Sequence, residues 1–287
     1  MSVTKYGQLV KKLVFDEFPH RKRARFESND LEGLELIFGW GLWSVIGEYD
    51  LGVGRHLHPC VECFVLTGLD YDNPGHIGVE FEIEMGEEGE KQVLGSPGIA
   101  IAPPNFPHAP MIIRNTDGKS FGTMMIYLGD EYTHSNVPVK SEPPPVEKKY
   151  GSLIQKFEMR DTNRKSGGNA DHITSWSGRD GDGLNLNLTW AFHTGLGAWH
   201  DKDPHTHPSD EVLLFVGLDA ENPEYLGAEI EIAMGEEQEI HIFDTSTLVV
   251  VPKGFVHCPL ITRKVDRPYG FSAISLNTGH ETTWLGE

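Results

Sequence analysis

The chain has 287 residues, which is enough for two domains of ordinary size. It carries 24 Lys and Arg against 43 Asp and Glu, a formal net charge of −19, so its surface repels nucleic-acid phosphates and anionic lipid headgroups. The sequence has no apolar run long enough to span a membrane, no apolar core of a signal peptide, and an odd number of cysteines, so we expect a cytoplasmic protein without nucleic-acid or membrane partners.

In chain order, the sequence predicts short strands far more often than helices. Two stretches, 7–15 and 152–157, have patterns that a helix could adopt. In the segment 79–84, Val, Phe and Ile alternate with Glu, which is typical of a strand with one face in water. The apolar run 212–216 suggests a strand that is buried on both faces. Further strands are predicted at 34–38, 99–102 and 184–188. This pattern favours an all-β sandwich or small barrel.

An internal repeat determines the organisation of the chain. When each residue is compared with the one 149 positions later, the block 56–114 has 24 identities in 59 ungapped positions. The match extends outward: Lys5-Tyr-Gly corresponds to Lys149-Tyr-Gly, and 121–129 aligns with 271–279. A proline run at 143–145 cannot join a sheet interior and is typical of a linker. We therefore predict two duplicated domains, 1–143 and 144–287.

Each half carries the same four polar residues, spaced as His-x-His-x3-Glu with a further His 46 residues after the Glu. The sets are His56, His58, Glu62 and His108, and His205, His207, Glu211 and His257. On a strand, residues two and four apart share a face, so the first three side chains of each set can converge, and the last His would come from a neighbouring strand. Three imidazoles and one carboxylate suit a divalent transition metal, with Fe(II), Mn(II), Co(II), Ni(II) and Zn(II) all compatible.

A single His-x-His is more often a surface or core feature than a metal site. Here, divergence since the duplication has replaced more than half of the aligned positions and yet kept all eight candidate ligands. That comparison within one chain favours metal binding, with one metal predicted per half.

The two sets resemble the motifs of the cupin superfamily, and in particular of its two-domain members, the bicupins. Gly68 and Gly217 close the first motif in each half, and Pro252-Lys-Gly254-Phe-Val-His257 resembles the second. In the first half Asn105 replaces that glycine, and Asn also tolerates a left-handed turn. The glycine ahead of each motif is displaced, and the Asn that usually follows the last His is missing.

The resemblance implies two tandem double-stranded β-helix barrels, each holding a metal, with Fe(II) or Mn(II) favoured. It also implies an enzyme acting on a small molecule. We expect an oxidoreductase of the dioxygenase type that uses a small organic acid or an enol or aromatic substrate. Two alternatives stay open: a non-redox lyase, isomerase or decarboxylase, and a non-catalytic metal- or ligand-binding bicupin. Since the edge strands of small barrels carry unpaired backbone groups that can pair with another chain, a homo-oligomer is also compatible with this organisation.

Other polar residues receive plainer interpretations. Strand alternation would place Cys60 and Cys63 on opposite faces, so we expect free thiols rather than a disulfide or a zinc site. Arg114 and Arg263 occupy equivalent positions, and a surface ion pair is expected at each, with substrate carboxylate binding as the alternative. The aromatic residues ahead of each first motif are expected to pack in the core, although some could line a substrate site.

Overall fold

The fold is all-β. It is seen in a computed structural model that describes residues 4–115, 117–138, 148–162, 170–180, 183–200 and 204–285. Within these ranges the chain forms short strands joined by turns, with single 3₁₀ turns at Gly7–Leu9, Ser28–Leu31 and Gly151–Leu153. No helix in the described part of the chain is long and apolar enough to cross a bilayer.

One compact unit, called here the first barrel, comprises residues 15–158 and contains two antiparallel sheets. The first sheet has the strand order β14-β10-β7-β12-β4-β3-β2, with bounds Ile154–Lys156, Gly98–Ala102, Glu62–Gly68, Phe121–Tyr127, Ile37–Trp43, Arg21–Phe26 and Asp16–Phe18. The second has the order β13-β6-β11-β8-β9, with bounds Ser135–Asn136, His56–Leu57, His108–Asn115, Val79–Met85 and Glu90–Leu94, and β5 (Gly47–Asp50) pairs with β11. Apolar side chains from both sheets, such as Leu66 and Ile83, meet in one buried core.

The second barrel comprises residues 1–14 and 159–287 and repeats this plan. Its first sheet has the order β1-β23-β20-β25-β17-β16-β15, with bounds Val10–Lys12, Thr247–Val251, Glu211–Gly217, Tyr269–Ser275, Asn187–His193, Ala170–Ser177 and Arg160–Asp161. Its second has the order β22-β21-β24-β19-β26, with bounds Glu239–Thr245, Tyr225–Met234, His257–Val265, His205–Thr206 and Thr283–Trp284, and β18 (Gly197–Ala198) pairs with β24.

The two units differ from the contiguous halves 1–143 and 144–287 that the repeat suggested. Strand β1, near the start of the chain, pairs with β23 of the second barrel, with Val10 opposite Val249. Its repeat equivalent β14 pairs with β10 of the first barrel, with Ala100 opposite Ile154. The opening strand of each half therefore completes a sheet of the other half, because both barrels present the same strand edge to an equivalent segment.

The strand predictions at 79–84, 99–102 and 212–216 are confirmed, those at 34–38 and 184–188 overlap β4 and β17 at their last two residues only, and the helix predictions are wrong. Val79, Phe81 and Ile83 are buried on β8 whereas Glu80 is exposed, and all of 212–216 is buried on β20. The stretches 7–15 and 152–157 form a single 3₁₀ turn, at Gly7–Leu9 and Gly151–Leu153, followed by a strand. Pairing with a sheet edge overrides the weak local helical pattern in these segments.

The pairing register also corrects the sequence alignment of the last strands. Phe121 lies opposite Gly68, and Tyr269 lies opposite the equivalent Gly217. Phe121 is thus equivalent to Tyr269, and the alignment of 121–129 with 271–279 is two residues out of register.

Candidate metal centres

The first motif does not lie on one strand as its spacing suggested. His56 lies on β6 in one sheet, and Glu62 begins β7 in the other sheet of the same barrel. His58 lies in the connection between them, just before Pro59. Since proline cannot donate to a strand ladder, the chain bends there and passes from one sheet to the other. The three side chains converge because the chain bends around them, and not through strand alternation. The second barrel has Pro208 at the equivalent position.

The second motif approaches the first through a left-handed turn. Asn105 has φ of +58° and Gly254 has φ of +73°, so asparagine takes the conformation of the equivalent glycine, as the sequence predicted. The backbone amide of each donates a hydrogen bond to a carbonyl of the first motif: Asn105 to His58 at 2.6 Å and Gly254 to His207 at 2.8 Å. This fixes the third histidine beside the first, with His108 opposite His56 in the strand register and His257 opposite His205.

In the first barrel the structure brings all four predicted residues together. The nearest nitrogen and oxygen atoms of His56, His58, Glu62 and His108 all lie within 4.8 Å of one another, and all four residues are buried. Glu62 Oε2 lies 3.1 Å from His58 Nε2 and 3.0 Å from His108 Nε2. Ligands held about 2.0–2.2 Å from one ion at right angles stand about 3 Å apart, so these separations match a shared metal.

Backbone carbonyls orient the three imidazoles of this cluster. The Nδ1 atoms of His56, His58 and His108 hydrogen-bond to the carbonyl oxygens of Gly54, Thr133 and Phe106, at 2.7, 2.7 and 3.0 Å. A carbonyl only accepts, so Nδ1 donates to it and Nε2 is the atom that faces the cluster; Nε2 offers its lone pair to a metal once it has given up its own proton. A carbonyl bound behind the ring in this way is typical of metal-binding histidines, since it fixes both the tautomer and the ring direction.

The electrostatics of the first cluster favour an ionised carboxylate. Burial alone would raise the pKa of Glu62, but hydrogen bonds from His108 and His58 outweigh it and lower that pKa to about 2. Burial lowers the pKa of His56, which keeps this imidazole in its neutral, ligating form.

In the second barrel the predicted residues also come together, but less tightly. The ligand nitrogens of His205, His207 and His257 lie within 4.8 Å of one another. Glu211 Oε2 lies 3.3 Å from His207 Nε2 and 3.7 Å from His257 Nε2. His207 Nδ1 is held by the carbonyl of Glu281 at 2.7 Å.

Without close hydrogen bonds from these imidazoles, the second carboxyl behaves differently. Burial raises the pKa of Glu211 to about 8, so it carries a proton at neutral pH in the metal-free protein. Burial also lowers the pKa of His205 to about 2 and that of His257 to about 3, and both imidazoles are neutral.

Two residues that the sequence analysis missed stand beside these clusters. The Tyr132 hydroxyl lies 3.5 Å from His58 Nε2 in the first barrel, and burial raises the pKa of this phenol far above its ordinary value. His280 Nδ1 lies 3.7 Å from Glu211 Oε1 in the second. Each directly precedes the residue whose carbonyl holds the second histidine of its motif, so Tyr132 and His280 are structural equivalents. Their signal in the sequence is hidden by the two-residue register shift that precedes the last barrel strand.

A cavity of about 130 Å³ adjoins the second cluster. Its walls include His205, Glu211, His280 and two indole rings, Trp199 and Trp284. One of the aromatic residues ahead of the first motif, Trp199, therefore does line a cavity at the site, whereas Trp190 is fully buried in the core. His200 and Cys258 lie near His205 and form an overlapping group of ligand atoms within 4.8 Å.

The cysteines and the two repeated arginines have the plain structural roles that the sequence predicted. All three cysteines, Cys60, Cys63 and Cys258, are free thiols. Arg114 lies 2.9 Å from Glu48 and 3.1 Å from Glu82, and Arg263 lies 2.8 Å from Glu231, so both are surface ion pairs as expected.

Solved structures share this architecture, whereas comparisons of the sequence alone find no match. The sequence matches no protein-family model and no curated protein. The oxalate decarboxylase of Lactobacillus farciminis, solved as a formate complex, superposes with a TM-score of 0.63 at 12% identity, covering 96% of this chain and 88% of that one. A variant of the Bacillus subtilis oxalate decarboxylase superposes with a TM-score of 0.64 at 11% identity, covering 96% and 79%. A further structure of the Bacillus enzyme, whose title names its Mn(II) centres, has a TM-score of 0.63 at 11% identity, with the same coverage.

The two-sheet barrels and their duplicated histidine and glutamate clusters define a double-barrel all-β protein. The chain has the cupin fold in its two-domain form, the bicupin fold that it shares with the oxalate decarboxylases.

Proposed function

We propose that the protein is a metal-dependent enzyme that binds one divalent transition metal in each barrel and acts on a small organic acid. The observation that carries the proposal is the first cluster, where three buried Nε2 atoms and an ionised carboxylate face one point. Such a set, closed by backbone carbonyls behind each imidazole, fits Mn(II) or Fe(II).

In the first barrel His56, His58, Glu62 and His108 would hold the metal. When bound, a divalent ion of this kind supplies Lewis acidity and, for iron or manganese, redox chemistry toward dioxygen. Beside it the Tyr132 phenol stays protonated across the physiological range. It can donate a hydrogen bond to a substrate oxygen, and it is the candidate proton donor of this site.

In the second barrel His205, His207, His257 and Glu211 would hold the metal. Glu211 lies farther from its imidazoles than Glu62 does, and burial keeps it protonated at neutral pH. This carboxyl must therefore lose its proton before it can bind a metal. His280 offers a fourth nitrogen there, as a fifth ligand, in place of a phenol.

The metal proposal is tested by elemental analysis of protein purified without chelators. We expect one transition metal per barrel. The double variant Glu62→Gln with His108→Ala should lose the first metal alone, and a Glu62→Asp variant should keep it in part. A wild-type protein that holds no transition metal, with both barrels folded, would contradict the proposal.

The first reaction class that we propose is oxidation by dioxygen, with both oxygen atoms entering the substrate. The test is turnover of a panel of dihydroxybenzoates and short keto acids in air, under argon, and with ¹⁸O₂. Loss of turnover under argon with label in the product supports a dioxygenase, and equal rates in both atmospheres contradict it.

A second candidate is a decarboxylase, and the shared fold with manganese-containing oxalate decarboxylase favours it. Here oxalate is the first substrate to test, with release of CO₂ as the measurement. Release of CO₂ with no ¹⁸O in the product would select this candidate over the dioxygenase.

A further inference from the structure

A second cavity, of about 90 Å³, lies inside the first barrel and has no counterpart in the motifs. Its walls are mainly apolar, with Phe64, Leu66, Phe81 and Met111 among them, but three arginines also line it. The three arginines are half-buried, and taking a charge partly out of water without a partner is costly, so their position beside apolar walls is unusual.

Strand alternation explains why these arginines share the cavity. Arg21, Arg23 and Arg25 are every second residue of β3, so their side chains lie on one face. The next strand, β4, places Gly41 beside Arg23 and Gly39 beside Arg25. Both glycines line the cavity, and at Gly41 a Cβ would stand 2.8 Å from the Thr123 hydroxyl, so a larger residue there would crowd the wall beside the arginines.

The same face carries a candidate metal ligand. On β7, Phe64 and Leu66 follow Glu62 at steps of two residues, so all three point to one side of the sheet. The ring of Phe64 lies 6.2 Å from that of His108. The strand register places Arg25 level with Phe64, and the Arg25 guanidinium lies 5.0 Å from the ring of Tyr132. The cavity therefore adjoins the first candidate metal centre.

Two of the three arginines form no ion pair within 4 Å in the described part of the chain, although Asp16, opposite Arg23 in the strand register, and Glu27 attract the Arg23 charge at longer range. Arg25 pairs with Glu27 at 2.6 Å, whereas no ion pair joins Arg21 or Arg23 to a described carboxylate. The Nε atoms of both are buried and lack a hydrogen-bond acceptor among the described residues. The Arg21 guanidinium lies 4.8 Å from the rings of both Phe18 and Trp43, which supports its flat face and leaves its N–H edge free for an anion.

The second barrel shows that the fold does not require these charges. The pairing register makes Ile173 equivalent to Arg23 and Ser175 equivalent to Arg25. The bulky Phe271 stands where the first barrel has the smaller Thr123. Among the described residues, the equivalent positions of the second barrel therefore lack the two cationic side chains, and the scaffold is shared without them.

We propose that this cavity binds the carboxylate of an apolar or aromatic organic acid through the guanidinium groups of Arg21 and Arg23, and holds its other end at the first candidate metal centre. The proposal rests on the proposed function for the chemistry at that centre, but binding itself needs only the cavity. One water needs about 10–15 Å³ by this measure, so the cavity suits a body of roughly six to nine heavy atoms, the size of benzoate or hexanoate.

Binding is measured by isothermal titration of benzoate and hexanoate into the purified full chain, with the uncharged benzamide as the ligand control. We expect both acids to bind and benzamide not to. The variants Arg21→Gln and Arg23→Gln should each weaken binding about tenfold or more, because each removes a charge-assisted hydrogen bond. Lys22→Gln is the matched control, since Lys22 lies between them on β3 and points to the other face. It should change the affinity less than twofold.

The metal content of every sample is determined alongside, so the two proposals can fail separately. Arginine-dependent binding by a protein without metal would uphold the cavity and remove the proposed function. Equal benzoate affinity in wild type and Arg23→Gln, or no binding of either acid to the wild type, would overturn the cavity proposal. If Arg23→Gln does not fold, Arg23→Lys keeps the charge but loses the planar fork; it should bind more weakly than the wild type, and unchanged affinity would again overturn the proposal.

Discussion

The two glutamates of the candidate centres occupy equivalent positions, yet their surroundings predict opposite effects of pH on stability. In the metal-free protein Glu62 accepts hydrogen bonds from two imidazoles and its pKa falls to about 2. Glu211 stands 3.3 and 3.7 Å from its imidazoles, and burial raises its pKa to about 8. Replacing each by glutamine in metal-free protein isolates the effect.

The signs follow from proton binding in the folded and unfolded states. The unfolded chain releases either proton near pH 4.5. Folded Glu211 keeps its proton to about pH 8, so the second barrel loses stability as the pH rises through this window. At about 1.4 kcal/mol per pH unit, the loss is about 3 kcal/mol at pH 7 and about 5 kcal/mol above pH 8. Folded Glu62 is ionised down to about pH 2, so its contribution of about 3 kcal/mol is present above pH 4.5 and disappears in acid.

The assay is thermal and urea unfolding of chelator-treated protein at pH 5.5, 7 and 8.5, with hydrogen exchange to assign each transition to a barrel. Glu211→Gln should stabilise the second barrel at pH 8.5 and flatten its pH dependence, whereas Glu62→Gln should destabilise the first barrel at pH 7. Each variant is the control for the other, since both replace a buried carboxyl by an amide of the same size. If both substitutions shift stability in the same direction at pH 8.5, the electrostatic contrast between the two sites is refuted.

Three further outcomes are expected. His108→Ala and His257→Ala should each remove the metal of one barrel and leave the other, as measured by elemental analysis of the separate variants. Leu13→Ala should destabilise the second barrel by about 2–5 kcal/mol, because this fully buried side chain packs there although it lies near the start of the chain; hydrogen exchange that loosens only residues 15–158 would contradict this. Cys60 should react first with a thiol reagent in the native protein, since Cys63 is fully buried and burial raises its thiol pKa, and mass spectrometry of the labelled peptides would show the order.

The duplicated motifs could be predicted from the sequence because metal coordination demands particular side chains at particular spacings. The actual path of the chain through them could not. Strand alternation seemed to explain the convergence of His56, His58 and Glu62, but Pro59 breaks the strand and the chain bends between two sheets. The sequence spacing of the three residues is the same whether they lie on one strand or on a bend between two sheets. Only the hydrogen-bond pattern of the structure distinguishes these two cases.

The exchange of opening strands was hidden for a physical reason. Strands β1 and β14 come from equivalent segments, and each pairs with an equivalent edge strand. Because the repeat makes the two pairings locally alike, nothing in the residues of Val10–Lys12 tells which barrel they join. Tyr132 and His280 were missed for a related reason, since the alignment loses its register just before them.

The differences around the two clusters say more about function than the residues they share. The first barrel combines an ionised carboxylate, a protonated phenol and a cavity with two unpaired arginines. The second has a protonated Glu211 and His280 in place of the phenol, and Ile173 and Ser175 in place of Arg23 and Arg25. A substrate acid needs a counter-charge and a proton donor beside the metal, and the described residues offer both together in the first barrel. Under the proposed function, the first barrel is therefore where chemistry on an organic acid would take place. If so, removing the first metal should abolish turnover, whereas removing the second should leave substrate binding in the cavity intact.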